Sequence, residues 1–358
     1  MTGNNGAWCE NMADGVAAFD LTTLSEEINQ LFPAYEFDLT GLLQLIMSGQ
    51  LFQAGELVWD QIKMNILGEI GSVKQLLIAI LVLGILSALL SNFMEFFSGK
   101  QVAQVGFYIL YLLLIAVLTK AFLTSTEIAK ETIENIVTFI RLFIPTYFMA
   151  VGASVGVTTA AIYYELSLML ALIVESFLVA ALLPVIDSYV ILSLLSGILA
   201  EERLTLLLDL IKKGISLLIK IAIGTVTGLS LLQSMITPVI DNLRIATVKN
   251  TISIIPGIGS LAEGVTEMVI GSALLVKNSL GVVGLCVLLC ICALPLCKLF
   301  LIAGAIKLGA AIAGIVSDKR ITGCANRVGD GSLLLFQTVL GAVAVFMVVI
   351  AIAAYTTL

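Results

Sequence analysis

The sequence predicts an all-α, polytopic helical membrane protein. Of its 358 residues 59% are apolar and only 12% are charged, and the mean hydropathy is +1.11. A soluble domain carries about 25% charged residues and needs a polar skin, so this composition belongs to a chain surrounded by lipid. Apolar runs long enough to cross hydrocarbon, roughly 20 residues each, recur along the chain, and about seven or eight spans are expected.

Charge divides the chain in two. Residues 1–71 hold ten acids (Glu10, Asp14, Asp20, Glu26, Glu27, Glu36, Asp38, Glu56, Asp60, Glu69) against Lys63 alone, a net −9, while the remainder is +2. Acid-rich, base-poor flanks favour translocation. Residues 1–71 are therefore expected to form an acidic, helical, extracytoplasmic segment, and 72–358 a multi-span transmembrane domain. Met1 to Asp20 reads polar, without the apolar core of a leader, so either the first span serves as an anchor or a leader has been removed. The acidic balance does not suit a nucleic-acid partner.

Several chemistries are removed. Histidine is absent, which excludes His-based catalysis and most zinc sites. Cys286, Cys290, Cys292 and Cys297 share one apolar run, and Cys9 and Cys324 stand alone. They read as small apolar packing residues rather than metal ligands or a disulfide framework. No Walker A, G-x-S-x-G or H-E-x-x-H pattern occurs. Neither an enzyme nor a cofactor is expected.

In the N-terminal segment, Thr23-Leu-Ser-Glu26 fits a capping box, and Leu24, Ile28 and Leu31 follow at helical spacing. Leu42, Leu43, Leu45 and Ile46 form a second apolar set, and Leu57, Val58, Ile62 and Ile66 a third. A small helical hairpin over the membrane surface is expected. Spans are placed near 75–97, 104–124, 160–183, 214–236, 297–316 and 331–356, with a shorter apolar piece at 186–200. A further stretch, 266–294, is interrupted by Lys277-Asn278. The segments 126–141 and 239–254 read as interfacial amphipathic helices, and Ser317 through Asp330 as a mixed-charge loop.

Four prolines punctuate this pattern. Pro145, Pro184, Pro256 and Pro295 are expected helix breaks, with Gly152 and Gly156 after the first and Gly257 and Gly259 after the third. Ile144-Pro145 and Ile255-Pro256 are 111 residues apart, as are Leu183-Pro184 and Leu294-Pro295. This spacing suggests an internal repeat with halves at about 104–213 and 214–358. Three spans between equivalent points would invert the second half, as in transporters whose broken helices meet near the midplane.

Glu165, Glu175, Asp187, Lys220, Lys277 and Lys307 lie within apolar runs, where each charge costs at least about 2–3 kcal/mol at the bilayer centre. Either they form a polar path for ions or a substrate, or they pair between helices and snorkel to the interface. Lys220 and Lys277 could pair with Glu165 and Glu175. Gly304, Gly309 and Gly314 around Lys307 suggest a packed protein interior.

The run Gly228-Leu-Ser-Leu-Leu-Gln233, Asp241, Ala246-Thr-Val-Lys249 and Ile255-Pro256-Gly-Ile-Gly259 leads into Ser272-Ala-Leu-Leu-Val-Lys277-Asn278-Ser-Leu-Gly281-Val-Val-Gly284. This succession resembles the stage III sporulation protein AE family of endospore-forming bacteria. The hairpin around Ala88–Lys100, Ile144-Pro145 and Leu308-Gly-Ala-Ala-Ile extend the likeness over nearly the whole chain. The resemblance implies a multi-pass subunit, in the mother-cell membrane around the forespore, of the channel complex joining the two cells. It implies as partners the lipid bilayer and the other stage III A proteins, which include a cytoplasmic ATPase and ring-forming subunits, with stage II protein Q reached through them. An autonomous transporter with a midplane substrate site and a non-conducting scaffold remain alternatives on the residues alone.

Overall fold

The protein is described by a computed structural model covering residues 21–32, 37–50, 100–155, 157–199, 203–252, 259–315 and 319–355, with scattered positions between 52 and 89. Side chains of the long helices are described over 105–152 (except 107), 165–196, 204–228, 274–315 and 320–351. Every regular element among the described residues is helical. In chain order these are α1 (Leu21–Leu31), α2 (Leu39–Met47), α3 (Lys100–Val155), α4 (Val157–Ser176), a π-helical turn (Phe177–Leu182), α5 (Leu183–Leu199), α6 (Arg203–Ile252), α7 (Gly259–Ala313) and α8 (Lys319–Tyr355).

The N-terminal hairpin is set by local chemistry. Asn29 clamps the backbone of Phe37, accepting from its N–H at 2.7 Å and donating to its carbonyl at 3.0 Å, and Ser25 donates to the same carbonyl at 2.6 Å. Asp38 caps α2 by accepting from Gly41 N–H at 2.9 Å, the usual N-cap bond. The helix ends where Gly49 takes φ +78°. Gly49 N–H donates to Ile46 and Gln50 N–H to Leu45, the bond pair that closes a helix around a left-handed residue. Leu24, Ile28, Leu39, Leu42, Leu43 and Ile46 are buried in the same core as the long helices. The capping-box expectation is corrected, because Thr23 and Glu26 lie inside α1 rather than at its start. The third apolar set, 57–66, lies almost entirely outside the described residues.

Among the described residues the long helices extend beyond the expected spans. Four stretches among the described residues are long and apolar enough to cross a membrane: Tyr108–Gly152, Glu165–Ser196, Leu274–Ala313 and Arg320–Ala351. The 104–124 span and the amphipathic 126–141 segment are one helix, α3, and Pro145 lies inside it. The 266–294 and 297–316 stretches are likewise one helix, α7, with Lys277 and Pro295 inside it. Residues 319–330 are helical, not a loop. The expected breaks at Pro145 and Pro295 are thereby corrected. The physical reason is common to both. A proline removes one backbone bond, whereas ending a helix in an apolar bundle strands up to four groups at each terminus.

Pro184 acts differently. It lies one residue beyond the cap of the π-helical turn, whose last wide-turn bond runs from Leu183 N–H to Leu178 O. The wider turn accommodates the donor that Pro184 lacks, so α4 and α5 continue as one rod through a register shift. Gly152 lies within α3 and Gly259 opens α7. Pro256, Gly156 and Gly257 lie outside the described residues, as does most of the expected 75–97 span.

Side-chain contacts fix the register. The α4–α5 rod runs antiparallel to α3, through Arg141–Glu175, Thr126–Asp187 and Tyr111 to the carbonyl of Leu194. Helix α8 runs antiparallel to α7 and parallel to α6. Gly284 on α7 faces the Phe143 ring of α3 so closely that a Cβ would overlap it. Gly284→Ala is therefore expected to lower the thermal midpoint of the detergent-solubilised chain, at a cost of about 1–3 kcal/mol. Phe143→Leu in the same chain should recover part of the loss; an unchanged midpoint in Gly284→Ala contradicts this packing.

Candidate functional site

The six sequence-selected charges do not converge. Glu165 on α4 and Lys220 on α6 are exposed. Glu175 pairs with Arg141 of α3 at 3.0 Å. Asp187 on α5 is half-buried and accepts from Thr126 Oγ1 at 3.1 Å. Lys277 is fully buried in α7, and its Nζ, like Asn278 Oδ1 and Ser332 Oγ, has no hydrogen-bond partner among the described residues. The expected pairing of Lys220 and Lys277 with Glu165 and Glu175 is thus not made: Arg141 takes Glu175.

Lys307 leads to a denser site. Its Nζ lies 2.6 Å from Asp330 Oδ1, and Lys212 Nζ lies 2.9 Å from Asp330 Oδ2. One carboxylate of α8 is therefore bracketed by ammonium groups from α7 and α6. Lys307 also donates to Asn326 Oδ1 at 3.2 Å. One turn before Asp330, Arg327 donates to Ser196 Oγ of α5 at 2.9 Å and to Thr205 Oγ1 of α6 at 3.0 Å. Four helices contribute to this polar layer. The Asp330 side chain is 11% exposed, while Lys307 and Lys212 are 31% and 40% exposed. The carboxylate lies inside and the ammonium groups form the rim, as expected of long cationic side chains that keep their heads hydrated.

The flanking glycines make this geometry possible. A Cβ at Gly329 would lie 2.7 Å from Lys307 Cγ, and one at Gly331 would overlap Val190 of α5. Asp330, Lys212, Arg327 and Asn326 are not among the residues expected from the apolar runs. The available signal was Gly329-Asp330-Gly331, an acid between two residues without side chains at the mouth of an apolar run.

Chemically, the layer is a fixed ion-pair network with surplus positive charge. The described cysteines are all free thiols, and no group of His, Cys, Asp and Glu among the described residues could hold a metal ion. Its ion pairs tie α6, α7 and α8 at one level, and Arg327 adds α5. Asp330→Asn should lower the unfolding free energy by about 1–3 kcal/mol, more than an exposed pair and less than a fully buried one, because both lysines are partly solvated. Glu165→Gln and Lys220→Gln, at exposed sites, should each change it by less than about 0.5 kcal/mol. Thermal or denaturant unfolding in one detergent checks both expectations.

Comparison with known proteins follows this geometry closely in extent. The family model described as stage III sporulation protein AE matches residues 37–357, from just before α2 through the last helix, leaving α1 outside the match. Stage III sporulation protein AE of Bacillus subtilis (strain 168) is 26% identical over 267 residues, covering 73% of this chain and 66% of that relative. The match thus spans slightly less than two thirds of the relative's length. No solved structure matches the chain.

Proposed function

The chain belongs to the stage III sporulation protein AE family, and on that premise we propose that it is a membrane subunit of a channel or secretion-like complex joining mother cell and forespore. It acts by assembly rather than by chemistry of its own. The observation that carries this reading is the family match over nearly the whole helical bundle. Long apolar helices in a sporulation family support a membrane location, which we take to be the mother-cell membrane around the forespore. On this reading residues 1–71 lie on the extracytoplasmic side, where the net charge of −9 favours them. The partners are the other stage III A proteins, among them a cytoplasmic ATPase and ring-forming subunits, with stage II protein Q reached through the ring.

A second reading, an autonomous transporter built on the inverted repeat that the proline spacing suggests, draws its support from Lys277. A fully buried ammonium without a hydrogen-bond partner among the described residues is the kind of intramembrane group that marks a transport path. The two readings separate in sporulating cells. The subunit reading expects the tagged chain to co-purify with stage III A proteins, and expects Asp330→Asn to weaken both that association and spore yield. A chain that never co-purifies with them contradicts it. If Lys277→Met abolishes solute flux through the isolated protein in vesicles while the complex assembles normally, the transporter reading replaces it.

A further inference from the structure

Helix α3 carries a polar face that its surroundings do not explain. Lys120, Glu127, Lys130, Glu131, Glu134 and Arg141 are all exposed, and Thr124 and Thr138 lie between them. At 100° per residue all eight fall within about 60° of Glu127 around the helix, and from Lys120 to Arg141 the track is about 32 Å long. That is about the thickness of the bilayer's hydrocarbon core, roughly 30 Å. The opposite face, with Ile133, Ile136, Val137, Ile140 and Phe143, is buried in the bundle.

The register puts this track at membrane depth. Thr126 and Arg141 meet Asp187 and Glu175, inside the apolar stretch Glu165–Ser196. Phe143 meets Gly284 of α7, inside the apolar stretch Leu274–Ala313. Most other outward-facing residues on those stretches are apolar, among them Met169, Leu172 and Ile173 on α4 and Leu289 on α7, with Glu165, Ser176 and Ser188 the polar exceptions. Among the described residues, the ion pairs of the track are an intrahelical contact, Lys130–Glu134 at 3.8 Å, and Arg141–Glu175. Six charges turned towards hydrocarbon would not be stable.

We propose that the polar face of α3 lines a water-filled lumen enclosed by several copies of this chain. The inference rests on the reading of the chain as a membrane-embedded subunit and adds which helix faces the path. The occupant is argued from the charges. Three acids and three bases leave the track neutral, and Lys130 lies within one turn of Glu127, Glu131 and Glu134. Identical tracks around an axis along the membrane normal therefore meet without net repulsion. Water in the lumen keeps the charges hydrated, whereas a dry seam would desolvate them.

Single cysteines in the full-length chain test this, in a background with Cys9, Cys286 and Cys297 changed to Ala. Thr124→Cys, Glu131→Cys and Thr138→Cys sample the track, and Leu172→Cys and Leu289→Cys are controls at the same depth. The membranes come from a host that forms no spores, so the result is independent of association with sporulation proteins. A membrane-impermeant, charged thiol reagent should label the track positions about tenfold or more faster than the controls, because only a hydrated thiol ionises to the reactive thiolate. A bifunctional thiol reagent should also join Thr138→Cys chains to one another. Labelling of the track no faster than of the controls overturns the lumen. Fast labelling without copy-to-copy cross-links overturns the role of a second copy. The threonine variants carry the test if Glu131→Cys fails to fold. Fast labelling and cross-linking in a chain that never joins stage III A proteins would leave the lumen standing and overturn the proposed complex.

Discussion

A single carboxylate, Asp330, held between Lys307 and Lys212 at 2.6 and 2.9 Å, sets the register of the bundle. Apolar packing alone is non-directional and lets helices of 37 to 56 residues slide by a turn at little cost. An ion pair does not, because a one-turn slip of about 5.4 Å would leave the carboxylate unmatched. From that level the other contacts follow in order. Arg327 reaches Ser196 and Thr205 one turn away, Gly331 admits Val190, and Gly341 lies beside Ile223 of α6.

The second constraint is length. At 1.5 Å per residue α3 and α7 are each about 80 Å long, against roughly 30 Å of hydrocarbon. Neither can be a simple spanning rod. The bundle therefore has parts that lipid cannot cover at the same time, which fits a subunit better than a lone anchor. The polar face of α3 runs beside the apolar stretches of α4–α5 and α7, while the most apolar part of α3 itself lies nearer its N-terminus.

Much of this was legible in the sequence. Composition gave the all-helical membrane class, and Leu24, Ile28, Leu42, Leu43 and Ile46 gave the apolar faces of the hairpin. The glycines around Lys307 suggested a packed interior, whereas its side chain is 31% exposed and lies on the rim of the Asp330 site. What sequence reasoning missed was continuity. Pro145, Pro295 and Lys277 look like boundaries in one dimension, yet each lies inside a helix. In an apolar bundle the cost of ending a helix exceeds that of one lost bond or one buried charge. Asp330 was missed for the opposite reason. Beside Lys319, Arg320 and Arg327 it looked like part of a solvated loop, and only the fold shows that its partners come from residues 212 and 307. Glu175 was rightly suspected of pairing, but its partner Arg141 lay in a segment read as interfacial.

The claim that this ion-pair network fixes the helix register is tested most directly by a double-mutant cycle between Lys307→Met and Asp330→Asn, read by unfolding in one detergent. The account predicts that the double variant loses less than the sum of the singles, with a coupling of about 1–2 kcal/mol. Strictly additive losses would show that the two side chains do not depend on each other, and would contradict it.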